Sequence, residues 1–140
     1  MKFSTKGTYG LRAVVELAAR YGDGPVSLSA VATEQGISEA YLEQLLGSLR
    51  RADLVKTVRG AQGGYQLSRS AGEITARDIL EAMEGPLSFS DCVGDAPNAC
   101  QHSENCPAKG VWEYLTEQIN GMLAHITLED MICHNLHQTI

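Results

Sequence analysis

The chain has 140 residues, 44% of them hydrophobic, and carries a formal net charge of −6. That length supplies one real hydrophobic core and is too short for two ordinary domains. No apolar run approaches the roughly 18 residues of a membrane span, and the opening MKFSTKG lacks the apolar stretch of a secretory signal, so a cytoplasmic chain without a membrane partner is expected.

The net charge hides an asymmetry. Residues 1–70 hold nine Lys/Arg against six acids, a balance of +3, and residues 71–140 hold two against eleven, a balance of −9. A basic first half suits a polyanion, because neutralising phosphates releases counterions, and an acidic second half is then expected to face away from it.

In chain order, TYGLRAVVELAARY over residues 8–21 predicts an amphipathic helix with Leu11, Val14, Val15 and Ala18 as its buried stripe, widened by Leu17. Gly22-Asp23-Gly24-Pro25 stops it. Thr5, Lys6, Thr8 and Tyr9 at its start are candidates for touching phosphate. SLSAVATEQG then predicts a short helix capped by Ser27, in which Ala32 permits a close crossing and Gly36 a left-handed turn.

The stretch GISEAYLEQLLGSLRRADLVKTVRGAQGGYQL carries the strongest signal. Leu42, Leu45, Leu46 and Leu49 fall at i, i+3, i+4, i+7, one buried helical face, with Ser38 as N-cap. Ser38, Tyr41, Gln44, Ser48 and Arg51 then point outward and present hydroxyls, an amide and a guanidinium, the groups that read base edges and phosphates. LVKTV and YQL flank RGAQGG as a two-stranded wing. Gly60 and Gly63 permit its tight tip, and Arg59 at its base suits a narrow minor groove. A helix pair, a small contact residue, a glycine turn and a wing in this order predict a winged helix-turn-helix.

ITARDILEAMEG predicts one more helix, with Ile74, Ile79, Leu80 and Met83 inward and Gly85-Pro86 at its end. From Pro107 a long helix follows, in which Trp112, Leu115, Ile119, Met122 and Ile126 alternate by three and four like a heptad seam. It is expected to form a homodimer interface, the alternative being a seam packed on its own head. Thr127-Leu-Glu-Asp130 resembles a capping box opening a last short helix through Leu136, with His134 and His137 at a fraying end. The expected organisation is mainly α: residues 1–85 as the DNA-binding head, 86–106 as a three-cysteine loop, and 107–140 as a dimerisation helix with a short terminal helix.

Four cysteines in a cytoplasmic-looking chain argue for a metal or redox role rather than a disulfide framework. Cys92, Cys100 and Cys106 are separated by seven and five residues in a polar, aperiodic stretch, a pattern suited to a soft metal centre. Zinc, with only His102 close as a fourth ligand, or direct thiol oxidation are the alternatives, and an incidental cluster of thiols is the plainest one. Cys133 reads as a packing residue or bystander. No enzyme is expected: GAQGG lacks the Lys-Ser/Thr ending of a phosphate-binding loop, and no Ser/His/Asp constellation is in sight. A small electron carrier is a further alternative.

From MKFSTKGTYGLRA through the reading stretch and ITARDILEAMEG to the three-cysteine loop and TLEDMI, the chain resembles the family of IscR-like winged-helix transcription regulators, which includes IscR, NsrR, RirA and CymR. The resemblance implies a homodimer on a palindromic double-stranded DNA operator, with one helix in the major groove and the wing in the minor groove. It implies base reading by Glu43, Gln44 and Arg59, with Ser38 and Tyr41 as phosphate or base contacts. Ala40 departs from the serine common there, which leaves the operator open. The resemblance further implies an iron-sulfur cluster, two-iron or four-iron, on Cys92, Cys100 and Cys106, and a regulator, most naturally a repressor, of cluster assembly, iron or sulfur genes. Lys109 stands where IscR has a ligating histidine, so His102, Asp91, Glu104, a group from the partner's first helix or solvent remain as fourth ligand. Cluster loading is expected to change the spacing of the two reading helices and so operator affinity. The alternatives within the family are a zinc or thiol switch on the same fold, or a metal-free cysteine-metabolism regulator acting through a protein partner.

Overall fold

The structure, a computed structural model, describes residues 3–90 and 105–136. Six α-helices, a short 3₁₀ turn and one two-stranded antiparallel sheet follow in chain order among them. The mainly α architecture and its two-stranded wing agree with the sequence.

The first helix, α1 (Thr5–Ala19), begins earlier than its periodicity predicted and is rotated about its axis. Its buried face is Gly7, Gly10, Ala13, Val14, Leu17 and Ala18, while Leu11 and Val15 sit half-buried on its flank. The reason is its partner, α4 (Ala76–Glu84), which crosses closely over the glycines. A Cβ on Gly10 would lie 2.5 Å from the Met83 sulfur. Small residues face a close crossing, and the large aliphatics are displaced to the side.

Ser27 caps α2 (Leu28–Gln35) by accepting from the Ala30 N–H at 3.1 Å. Gly36, at φ +67°, ends it: the Ile37 N–H reaches the Ala32 carbonyl at 3.1 Å and the Gly36 N–H the Thr33 carbonyl at 3.2 Å. Two residues later Ser38 caps α3 (Glu39–Arg51), whose Leu42, Leu45, Leu46 and Leu49 are all buried as predicted. At the end of α3, Asp53 takes the left-handed conformation usually left to glycine, and the Leu54 N–H returns to the Leu49 carbonyl.

Strands β1 (Val55–Val58) and β2 (Gly64–Leu67) pair in the register Val55 to Leu67 through Val58 to Gly64. Val26, in the turn between α1 and α2, exchanges both backbone bonds with Tyr65 at 2.8 Å. That isolated bridge flanks β2 on the side away from β1 and ties the wing to the helical core.

After the 3₁₀ turn Ala71–Glu73, Thr75 and Asp78 form a capping box at the start of α4. Ile74 is fully buried but lies before that helix rather than on it. Beyond α4, Leu87 is buried, its carbonyl accepts from the Asn120 amide at 3.0 Å, and the Phe89 N–H donates to the Thr116 hydroxyl at 2.9 Å. Phe89 also stacks on Trp112 with centroids 6.3 Å apart. The segment 87–90 is thereby strapped along α5 (Lys109–His125).

α5 starts at Lys109, two residues after Pro107. Its buried residue is Thr116, and the seam residues Trp112, Leu115, Ile119 and Ile126 are half-buried with Met122 exposed. The capping box of Thr127 and Asp130 opens α6 (Leu128–Ile132) as predicted, but the helix stops before Leu136. His134 turns left-handed at φ +55° and the Asn135 N–H closes onto the Asp130 carbonyl at 2.9 Å. His137 lies outside the described residues. No helix among the described residues is long and apolar enough to cross a membrane.

Candidate nucleic-acid interface

With four leucines of α3 committed to the core, its opposite face is fixed in the open. Glu43 and Gln44 are exposed there, and Tyr41 and Ser48 are half-buried. An open groove of about 560 Å³ runs beside this face, bordered by Lys6 from α1 and by Tyr41, Glu43, Gln44, Ser48 and Arg51 from α3. Two cations therefore border a row of hydrogen-bonding groups, an arrangement that attracts a phosphate backbone and leaves an acid and an amide free to meet base edges.

Each side chain has a local reason for its place. The Ser38 oxygen is engaged as a cap, accepting from the Tyr41 N–H at 3.1 Å, so its hydroxyl proton is left to donate outward. The Arg51 guanidinium donates to the Ser48 hydroxyl at 3.0 Å, which folds it back along its own helix. The Tyr41 ring meets Tyr9 of α1 edge to face, with centroids 6.2 Å apart at 85°, and the Arg12 guanidinium lies 5.3 Å from the Tyr9 centroid. The start of α1 is thus held against the exposed face of α3. Lys6 and Tyr9 are among the phosphate-contact candidates of the sequence, which carries no sign of the Tyr9–Tyr41 contact. The i, i+3 spacing of Tyr9 and Arg12 is a local cue to the Arg12–Tyr9 contact alone.

Arg59 and Gly60 are exposed just past β1, and the Gly63 N–H donates to the Gly60 carbonyl at 3.0 Å to close the tip. A Cβ on Gly63 would lie 2.1 Å from the Val58 carbonyl oxygen, so this turn has room for glycine alone. These three wing residues stand apart from the lining of the α3 groove.

Of the expected cluster ligands, Cys106 is a free, half-buried thiol just before α5. Cys92 and Cys100 lie outside the described residues, as do His102, Asp91 and Glu104. Lys109 pairs with Glu113 at 3.4 Å, as befits an ammonium rather than a ligand. Among the described residues no three His, Cys, Asp or Glu side chains gather as a metal site. Cysteine thiolates are the usual ligands of iron-sulfur centres, and Cys106 is the one described member of the three-cysteine set. Cys133 is exposed rather than packed.

Known proteins share this architecture. The profile of the Rrf2 family, described as iron-dependent transcriptional regulators, matches residues 3–134. CymR of Bacillus subtilis (strain 168), an HTH-type transcriptional regulator, is 42% identical over 131 residues, which cover 94% of this chain and 89% of that protein. The solved structure of CymR, described as the global cysteine regulator of B. subtilis, superposes with a TM-score of 0.78 at 40% identity over 96% of this chain and 98% of that one. That of T. potens IscR gives 0.78 at 44% identity over 96% and 88%. These relatives are named as regulators, not enzymes, and the chain belongs to the Rrf2 family of winged-helix transcriptional regulators.

Proposed function

We propose that the chain acts in the cytoplasm as a homodimer that binds a palindromic operator, reading bases with Glu43 and Gln44 of α3 and with Arg59 of the wing. The observation that carries this reading is the α3 groove, which exposed Glu43 and Gln44 line together with the cations Lys6 and Arg51. Ser38, Tyr41 and Arg51 serve as phosphate or base contacts, and Gly60 and Gly63 shape the wing tip that carries Arg59 toward the minor groove. The half-buried seam of α5 supplies the dimer contact, since Met122 and its apolar neighbours are left partly uncovered by their own chain. Residues 1–85 then form the DNA-binding head, 86–106 the sensing segment and 107–140 the dimerisation unit.

The sensing ligand in this reading is an iron-sulfur cluster held by Cys92, Cys100 and Cys106. A cluster supplies sensitivity to iron supply and to oxidants, which makes cluster assembly, iron or sulfur genes the natural targets. The free thiol of Cys106 and the family's description as iron-dependent support it. A second reading has support of its own: 42% identity to CymR, whose solved structure is described as that of a cysteine regulator, favours a regulator of cysteine metabolism, which in this reading needs no metal and works with a protein partner.

One experiment separates the two. Protein purified without oxygen is measured for visible absorption, iron and sulfide, and then titrated against its own upstream DNA before and after the iron is removed. The cluster reading expects brown protein whose operator affinity changes on stripping. Colourless protein that binds the same DNA with or without added iron supports the cysteine reading instead.

A further inference from the structure

Side-chain hydroxyls cap α2, α3, α4 and α6, but the Ser4 hydroxyl at the start of α1 does not cap its own helix. It donates instead to Oε1 of Glu84, the last residue of α4, and the Ser4 backbone N–H donates to the same oxygen at 2.8 Å. That oxygen lies 2.7 Å from where a Cβ on Gly7 would stand, so the bare, buried backbone of Gly7 makes room for the carboxylate over the first turn of α1. A negative charge at a helix N-terminus is favourable, and here it is supplied across the fold rather than from within the helix.

The first turn of α1 carries Lys6, and Tyr9 follows one turn later with its edge contact to Tyr41. We propose that Glu84 is a positioning residue for DNA binding: by latching Ser4 it holds the first turn of α1 so that Lys6 and Tyr9 stand beside the reading face of α3. This rests on the proposed reading of that face. Glu84 is also the residue from which the chain turns, at Gly85 and Pro86, into the strap along α5.

The sign of the effect is what distinguishes this role. An exposed acid near a DNA-facing helix end ordinarily repels phosphate, so removing it should tighten binding. A positioning role demands the opposite. The full-length chain is used to select duplexes from a random-sequence pool, and one selected duplex is titrated with the parent chain, E84A, E84Q, S4A, K6A and the K6A/E84A pair over a range of salt.

The latch predicts about tenfold weaker binding for E84A, a smaller loss for E84Q and S4A, and a salt slope shallower by about one phosphate for E84A. It further predicts that the K6A/E84A pair loses clearly less affinity than the product of the single losses would require, because both remove one contact. Equal or tighter binding by E84Q and S4A, or strictly multiplicative losses in the double variant, overturns it. Thermal melting of each variant guards against loss of fold, and should E84A not fold, E84Q and S4A carry the test. A parent chain that selects no duplex overturns the DNA-reading proposal itself, and the latch with it.

Discussion

Thr75 and Thr127 face one another in a single antiparallel bridge between the starts of α4 and α6. The Ala76 N–H donates to the Ile126 carbonyl at 2.8 Å and the Leu128 N–H to the Ile74 carbonyl at 2.9 Å, with Ile74 and Leu128 both fully buried beside them. Each threonine also opens a capping box, with Asp78 and Asp130 as its reciprocal partners. The C-terminal part of the chain is thus fastened to the head at a point where two helices begin together.

The cost of losing either cap follows from this. Thr75→Ala and Thr127→Ala should each destabilise the fold by about 1 kcal/mol, the usual value of an N-cap hydroxyl, and Leu128→Ala by about 2 to 5 kcal/mol as a core truncation. Urea unfolding of the three variants checks this. Loss of less than a few tenths from both threonine changes would mean that the bridge alone sets these helix starts.

For the wing, Arg59→Ala should weaken operator binding by about 1 to 3 kcal/mol, if it reads bases, with no change in melting temperature, since the side chain is exposed. Gly63→Ala should weaken it as well, by a different route: the added methyl meets the Val58 carbonyl and the tip must open. Fluorescence anisotropy on a selected duplex, alongside thermal melts, measures both.

On α5, Met122 is 46% exposed in the single chain, so Met122→Glu costs that chain little. In a dimer it would bury a carboxylate in an apolar seam. Sedimentation should show the parent chain as a dimer and the variant shifted toward monomer, with operator affinity falling in step. An unchanged dimer would mean that the seam lies elsewhere on α5.

Cys106→Ala should leave the far-ultraviolet dichroism and melting temperature of the cluster-free protein unchanged, because the thiol is half-buried and outside the core. Under the cluster reading the variant purified without oxygen is colourless and binds no stoichiometric iron. Iron and sulfide retained at the parent level would remove Cys106 from the ligand set.

The reading half of the molecule was legible because its signals are local. Four leucines at helical spacing, serine caps within three residues of what they cap, and Gly36 in its left-handed turn each act over less than two turns of chain. What escaped depends on contacts far apart in sequence. The axial rotation of α1 is set by Met83 and Glu84 of α4 meeting Gly7 and Gly10, and no period within α1 records that. The Ser4–Glu84 latch, the Val26–Tyr65 rung and the Tyr9–Tyr41 contact are long-range in the same way. The seam of α5 was visible as a period, but Thr116 and Asn120, which fasten residues 87–90, look like ordinary polar helix positions until the partner segment is seen.

The central claim is that α3 and the wing together read a two-fold symmetric duplex. Selection from a random pool by the full-length chain, followed by hydroxyl-radical footprinting of an enriched duplex, tests it most directly. The account predicts an inverted repeat with two protected half-sites about one helical turn, or a multiple of it, apart. It also predicts that Glu43→Ala relaxes base preference within them. Enrichment of no sequence, or of a single unsymmetric site unaffected by Glu43→Ala, would contradict it.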